Sequence, residues 1–189
     1  MSHKFLRDAS LHEALFALDL ELAHSSRHSG CWFCGHRLHV SNYPRKPRGV
    51  PLPFLDHYAE RLSFTCADCK RRCTPPSVRF FGRIRFVAGL AMLIAALTRG
   101  PSERRCRQLE RCFGVRLSVS TWQRWRRWWR DRFRATRFWM QARGYFAQPE
   151  PLGRLPAGLL GAFPGRLGSR LPATLRFLSP LTGGDLRAV

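Results

Sequence analysis

The period of the hydrophobic positions changes several times along this chain. Near its start, Leu6, Leu11, Leu15, Leu18 and Leu22 recur at helical spacing, with Asp8, Glu13, Asp19 and Glu21 off that stripe. The pattern predicts an amphipathic helix over 3–24, followed by a linker from Ser25 to Gly30. Residues 31–82 lose the helical period. Cysteine pairs bracket a proline-rich middle, Tyr43 to Pro53, which predicts loop, and Leu38-His39-Val40 and Leu62-Ser63-Phe64 predict short strands beside the pairs. Residues 83–98 are apolar on nearly every side, which predicts a buried helix stopped by Gly100-Pro101.

Beyond that stop the helical period returns. Ser102 is a capping residue for a helix over 103–113 with Cys106, Leu109 and Phe113 inward, and Gly114 suits a left-handed turn. A third helix is predicted from Thr121 to about Arg134, with Ser120 and Gln123 as a capping-box pair. Its turn, Gly114 to Val119, is slightly long for a helix-turn-helix, and Val115 and Leu117 should pack inward. At 100° per residue, Trp122, Trp125, Trp129 and Phe133 share one face. Gln123, Arg124, Arg127, Arg130 and Arg134 share the other, with Trp128 on the boundary. After Gln148 the pattern decays into Pro, Gly, Leu and Arg, which predicts a weakly ordered tail with short helices near 156–163 and 171–178.

The fold class expected is therefore mainly α with a small β unit. It comprises an N-terminal helix and linker (1–30), a four-cysteine zinc ribbon (31–82), a tri-helical, helix-turn-helix-like unit (83–147) and a C-terminal tail (148–189). The longest apolar run, Phe86 to Leu97, is about 12 residues, short of the about 20 that a bilayer span takes. No membrane partner is expected, and the amphipathic, acidic start does not read as a secretory signal. The expected setting is cytoplasmic and nucleoid-associated.

Charge sharpens the picture. The chain carries 33 Lys and Arg against 12 Asp and Glu, a net charge of +21, and nearly all the cations are arginine. The first thirty residues are slightly acidic, whereas 99–137 hold thirteen arginines against three acids. A compositional bias towards arginine would not spare the first thirty residues, so the clustering points to a polyanion-binding surface. Nucleic acid, expected as duplex DNA, is the partner that fits. On the third helix Thr121, Gln123, Arg124 and Arg127 are the candidates for base edges. Arg126, Arg130, Arg132 and Arg134 are candidates for the phosphates. The loop residues Arg45, Lys46 and Arg48 add a second basic stretch. Trp122, Trp125 and Trp129 read as core, and only Trp128 and Trp139 are candidates for rings exposed enough to stack on bases.

The seven cysteines come without an export signal, which favours metal or core roles over disulfides. Cys31-Trp-Phe-Cys34 and Cys66-Ala-Asp-Cys69 each place two thiols on one turn. Two such turns face to face make a closed four-sulfur site, which suits one structural Zn2+ and leaves no open position for catalysis. Cys73 is an alternative ligand. A redox role for the pairs is weaker, because neither lies in a βαβ pattern. His36 and His39 read as exposed polar residues, Cys106 and Cys112 as core and surface thiols.

The run Cys66-Ala-Asp-Cys69-Lys-Arg-Arg-Cys73-Thr74-Pro75, with Cys31-Trp-Phe-Cys34-Gly35 before it, resembles the zinc ribbons of bacterial insertion-sequence transposases. The likeness covers 31–82. It implies a DNA- or complex-binding module of mobile-element origin, with a transposase or another mobile-element protein as a possible partner, and it puts Cys73 at an apolar strand position.

An enzyme is not expected. After Cys69 the acids are Glu103, Glu110, Asp131, Glu150 and Asp185, and the first three lie in arginine-rich helices without strands to gather them around metals. No phosphate-binding Gly loop, serine elbow or small-molecule site is legible. The two other classes that fit are a backbone-binding RNA-associated protein and a ribbon that docks a protein partner.

Overall fold

The computed structural model describes residues 6, 8–81, 85–97, 99–146 and 154–183. Helix α1 spans Ala9–His28, with the Asp8 side chain accepting from the Ser10 amide at its start. The expected linker is thus largely helix, and residues 3–5 and 7 of the expected 3–24 helix lie outside the described residues. Leu11 and Leu15 are buried as their spacing predicts. Asp19 does not face solvent: it is 1% exposed.

Two small antiparallel sheets follow. The first joins β1 (Leu38–Val40), β4 (Phe64–Cys66) and β5 (Arg72–Cys73) in the order β1-β4-β5, with Leu38 opposite Cys66 and Phe64 opposite Cys73. The second pairs β2 (Tyr43–Pro44) with β3 (Glu60–Arg61). The second predicted strand was thus placed two residues too early, and the predicted loop begins as a strand. The basic loop is pinned at both ends: the Arg45 amide donates to the Ala59 carbonyl at 2.7 Å, the Arg48 amide donates to the Arg85 carbonyl at 2.6 Å, and the Val87 amide donates to the Arg48 carbonyl at 3.1 Å.

Helix α2 (Ala88–Ala96) is buried along almost its whole length, as an apolar sequence without a polar face requires. It is shorter than the predicted 83–98; residues 82–84 and 98 lie outside the described set. Helix α3 (Glu103–Phe113) is capped by Ser102, whose hydroxyl accepts from the Arg105 amide, and ends on Gly114 at φ 63°, both as predicted. Helix α4 (Val119–Arg127) starts two residues earlier than expected. Its cap is Ser118, whose hydroxyl accepts from the Thr121 amide, so the Ser120–Gln123 capping box does not form. Alternation explains the shift: Val115 and Leu117 point inward as predicted, and that leaves Ser118 at the helix mouth.

Helix α4 continues as a π-helical turn, Trp128–Arg132, and a 3₁₀ turn, Phe133–Ala135, before α5 (Arg137–Ala142). Trp122, Trp125, Trp129 and Phe133 are all buried, as their common face predicts. Edge and tilted ring contacts link them onward: Phe86 to Trp125 at 5.1 Å, Trp129 to Phe133 at 4.7 Å and Phe133 to Trp139 at 5.0 Å. Trp139 is therefore core, 6% exposed, and is removed from the candidates for base stacking.

The tail has helices near both expected places, but it is not weakly ordered, and that expectation is corrected. Helices α6 (Ala157–Ala162) and α7 (Leu167–Leu178) pack on α2, and α7 also packs on α1. Leu159, Leu160, Leu171, Leu175 and Leu178 join the same core as α2 and α4. Residues 171, 174, 175 and 178 form a helical stripe, which Pro172 and the surrounding glycines disguise. Residues 147–153 and 184–189 lie outside the described set.

Two cores result. The large one joins α1, α2, α4, α6 and α7, and the small one gathers Ala23, Cys31, Leu38, Phe64, Cys66 and Cys73. Helix α1 serves both, through Leu11 and Leu15 at one end and Ala23 at the other.

Candidate metal centre and basic cleft

The two C-x-x-C turns have matching geometry. In each, the amide of the first cysteine donates to a carbonyl five residues on: Cys31 to His36 at 2.9 Å, and Cys66 to Arg71 at 3.0 Å. In each, the residue after the second cysteine has positive φ: Gly35 at 76° and Lys70 at 58°. Gly35 was legible as such a position; Lys70 was not, because lysine rarely adopts that conformation. The turns are tied together by the Ala67 amide, which donates to the Arg37 carbonyl at 2.9 Å.

This symmetry brings Cys31, Cys34, Cys66 and Cys69 together, with all four sulfurs within 4.8 Å of one another. Cys31 Sγ lies 3.6 Å from Cys69 Sγ, and Cys34 Sγ lies 3.4 Å from Cys66 Sγ. A tetrahedron of sulfurs about 2.3 Å from a central ion has edges of about 3.8 Å. These two edges fall within a few tenths of an ångström of that value and every sulfur lies within 4.8 Å of the others, so the cluster can hold a metal ion. Its donor set is all sulfur.

The thiols are mutually antagonistic without a cation. Burial opposes ionisation of Cys31, but the Phe33 and Cys34 amides and the neighbouring thiols outweigh it and bring Cys31 down to about 6. Cys69 moves the other way. The Arg71 amide favours its thiolate, yet burial and its three cysteine neighbours push it up to about 12. One thiol ionises readily and its charge holds the next one protonated, an opposition that a bound dication would reverse.

Cys73 stands outside this group. It is fully buried on β5, its Sγ 3.8 Å from that of Cys31, in the small core. His36 is exposed beside Asp68, 3.7 Å away, and its Nδ1 lies 3.0 Å from the Cys34 carbonyl. Cys106 is buried on α3, and Cys112 is half-buried, close to the core and surface roles predicted.

The arginines divide into two sets. Gln123, Arg127, Arg130 and Arg134 are exposed on the outer face of α4 and its continuation. Arg130 is engaged with Asp131 through two hydrogen bonds of 2.7 and 3.1 Å. Arg126 is half-buried and turns towards Gly100. In the loop, Lys46 and Arg48 are exposed, whereas Arg45 is half-buried over the Phe80 ring at 5.3 Å.

The second set surrounds a cleft of about 980 Å³ between the basic loop, α2, the start of α3 and α4. Phe81, Phe86, Met92, Trp125, Trp128 and Trp129 contribute its apolar lining. Arg48, Arg85, Arg116, Arg124 and Arg132 line it too, all exposed, against one acid, Glu103. Thr121, half-buried, sits at its edge, where its hydroxyl accepts from Arg124 at 3.2 Å and from Ser118 at 2.9 Å. The cleft as a unit was missed in sequence because its rim comes from four separated segments. Arg116 alone carried a local signal, an outward position between the inward Val115 and Leu117.

Among the described residues no helix is long and apolar enough to cross a membrane. Comparison with protein-family models, curated proteins and solved structures finds no match to the chain.

Proposed function

We propose that this chain is a zinc-containing, non-enzymatic nucleic-acid-binding protein. In this reading residues 31–82 form a zinc ribbon in which Cys31, Cys34, Cys66 and Cys69 hold one structural Zn2+. Helices α3 and α4 act as a helix-turn-helix-like pair that meets duplex DNA. The observation that carries the reading is the division of α4: Trp122 and Trp125 anchor it in the core while Gln123, Arg124 and Arg127 are exposed. A helix held rigidly from behind with arginines in front can press cations on phosphates at little entropic cost. The surrounding excess of arginine in 99–137 supplies the field that draws in a polyanion. The transposase-like pattern of the cysteine unit favours a role beside a mobile-element protein.

The experiment is a salt titration of duplex DNA binding by the full chain and by the double variant Arg127→Ala/Arg134→Ala. The variant should bind more weakly and its salt slope should fall by about two phosphate contacts' worth. An unchanged slope would remove the outer face of α4 from the interface.

A further inference from the structure

The outer face of α4 explains phosphate contact, but it leaves the cleft beside it without a role. A duplex offers that cleft little, since its base faces are stacked away and only edges and backbone are reachable. The aromatic lining suits something flat and apolar, and the arginine rim suits something anionic. Building on the nucleic-acid reading above, we propose that this cleft takes an unpaired nucleotide of a strand, with the base against Trp128 and the flanking phosphates on Arg85, Arg116, Arg124 and Arg132.

Four observations converge. The cleft, about 980 Å³, has room for a nucleotide, and its wall includes Trp128, the one half-buried member of the tryptophan cluster. Trp128 is braced edge-on by Phe81 at 6.3 Å and by Trp129 at 4.9 Å, so a base stacking on it would meet a fixed ring. Arg124 is oriented by Thr121. The π-helical turn Trp128–Arg132 brings both Trp128 and Arg132 to the cleft; such turns mark functional sites often enough to be noted. Charge complementarity selects the occupant: five arginines against Glu103 exclude a cation or a neutral lipid tail and favour a phosphate-bearing ring.

The test compares three probes on the full chain: a blunt duplex, the same duplex with a short unpaired tail, and the tail alone. The tailed duplex should bind about ten-fold more tightly than the blunt one, the worth of roughly one stacked base. Arg124→Ala/Arg132→Ala should abolish that preference, and Trp128→Ala should do the same, with Trp128→Phe restoring most of it. Arg127→Ala/Arg134→Ala removes equal charge from outside the cleft and should weaken all three probes alike. If the tail adds nothing, or both arginine pairs act equally on every probe, the cleft is not a strand site and the duplex reading stands. If a free mononucleotide fills the cleft as tightly as the tail does, the occupant is a nucleotide and not a strand, and the proposal falls. If no probe binds, the nucleic-acid reading itself fails.

Discussion

Arg79 donates through Nε to Asp19 Oδ2 at 2.7 Å, with both side chains almost fully buried. Asp19 also accepts from the Ser77 hydroxyl and the Val78 amide, each at 2.6 Å. Arg79 lies over the rings of Phe16, Tyr58 and Phe80 at 4.8 to 5.8 Å. The pair fastens α1 to the strand exit of the cysteine unit. Two residues before Arg79, Ser77 is held from the other side by Thr182, which accepts from its amide at 2.7 Å and donates to its carbonyl at 3.0 Å. The first helix, the cysteine unit and the C-terminal helices therefore meet at Ser77 to Arg79.

Removing one partner of such a pair leaves a buried charge without compensation. Asp19→Ala should destabilise the fold by about 3–5 kcal/mol. The measurement is the chemical denaturation midpoint of the purified protein. A loss similar to that of an exposed acid, Glu13→Ala, would show that Asp19 does not hold the junction.

The C-terminal helices should be as necessary as the central ones. Leu171 and Leu175 are 0% and 1% exposed. Leu171→Ala should cost about 2–5 kcal/mol, the range for emptying a packed core position. Denaturation that is unchanged would mean that α7 contributes nothing to the fold.

What was legible in the chain followed periodicity and capping. Leu11 and Leu15, the tryptophan face of α4, the Ser102 cap and the Gly114 stop each declare themselves through local spacing. The four cysteines declare themselves through repeated C-x-x-C turns. What was not legible depended on partners distant in sequence. Asp19 looked like a solvent acid because Arg79 and Ser77, about sixty residues away, decide its burial. Trp139 looked available because Phe133 and Phe146 cover it only after the chain has turned. A short helix near 171–178 was legible, but Gly168 and Pro172 hid its start at Leu167, and nothing local showed that its stripe packs into the main core. The cleft is an assembly of five segments, and no window along the sequence contains it.

Stability should fall on mild acidification through His12. Its Nδ1 lies 2.9 Å from the Tyr58 hydroxyl and its Nε2 lies 2.8 Å from the Leu6 carbonyl, and the ring stacks on Phe54 at 4.5 Å. Burial holds its pKa below the ordinary 6.5, with His57 adding to that and the Leu6 carbonyl and Asp8 opposing it. The unfolded chain therefore takes up a proton near 6.5 that the folded chain refuses until lower pH. The His12 contribution is complete above 6.5 and is lost as pH falls from there towards the folded value. Wild type should lose stability more steeply than His12→Gln between about pH 7 and 5, by at most about 1.4 kcal/mol per pH unit. Parallel slopes would mean that the imidazole titrates normally in the fold.

The metal centre is best tested through the backbone that shapes it. Gly30 and Gly35 both have positive φ, 78° and 76°, so alanine at either is strained by about 1–2 kcal/mol. They differ in space. A Cβ on Gly35 would meet nothing, whereas a Cβ on Gly30 would lie 2.5 Å from the Gly35 carbonyl oxygen. That carbonyl belongs to the turn presenting Cys31 and Cys34, so relief of the clash must open the turn and separate the sulfurs. Gly35→Ala should keep one equivalent of zinc at reduced stability, while Gly30→Ala should lose it, as Cys66→Ala should. Cys73→Ala should retain the metal, since its sulfur lies outside the four. Metal analysis of the purified variants reads all of this directly. Iron in place of zinc would leave the four-sulfur geometry intact and change the ion. Full zinc in Gly30→Ala would mean that the first turn does not set the spacing, and loss in Cys73→Ala would make Cys73 a ligand.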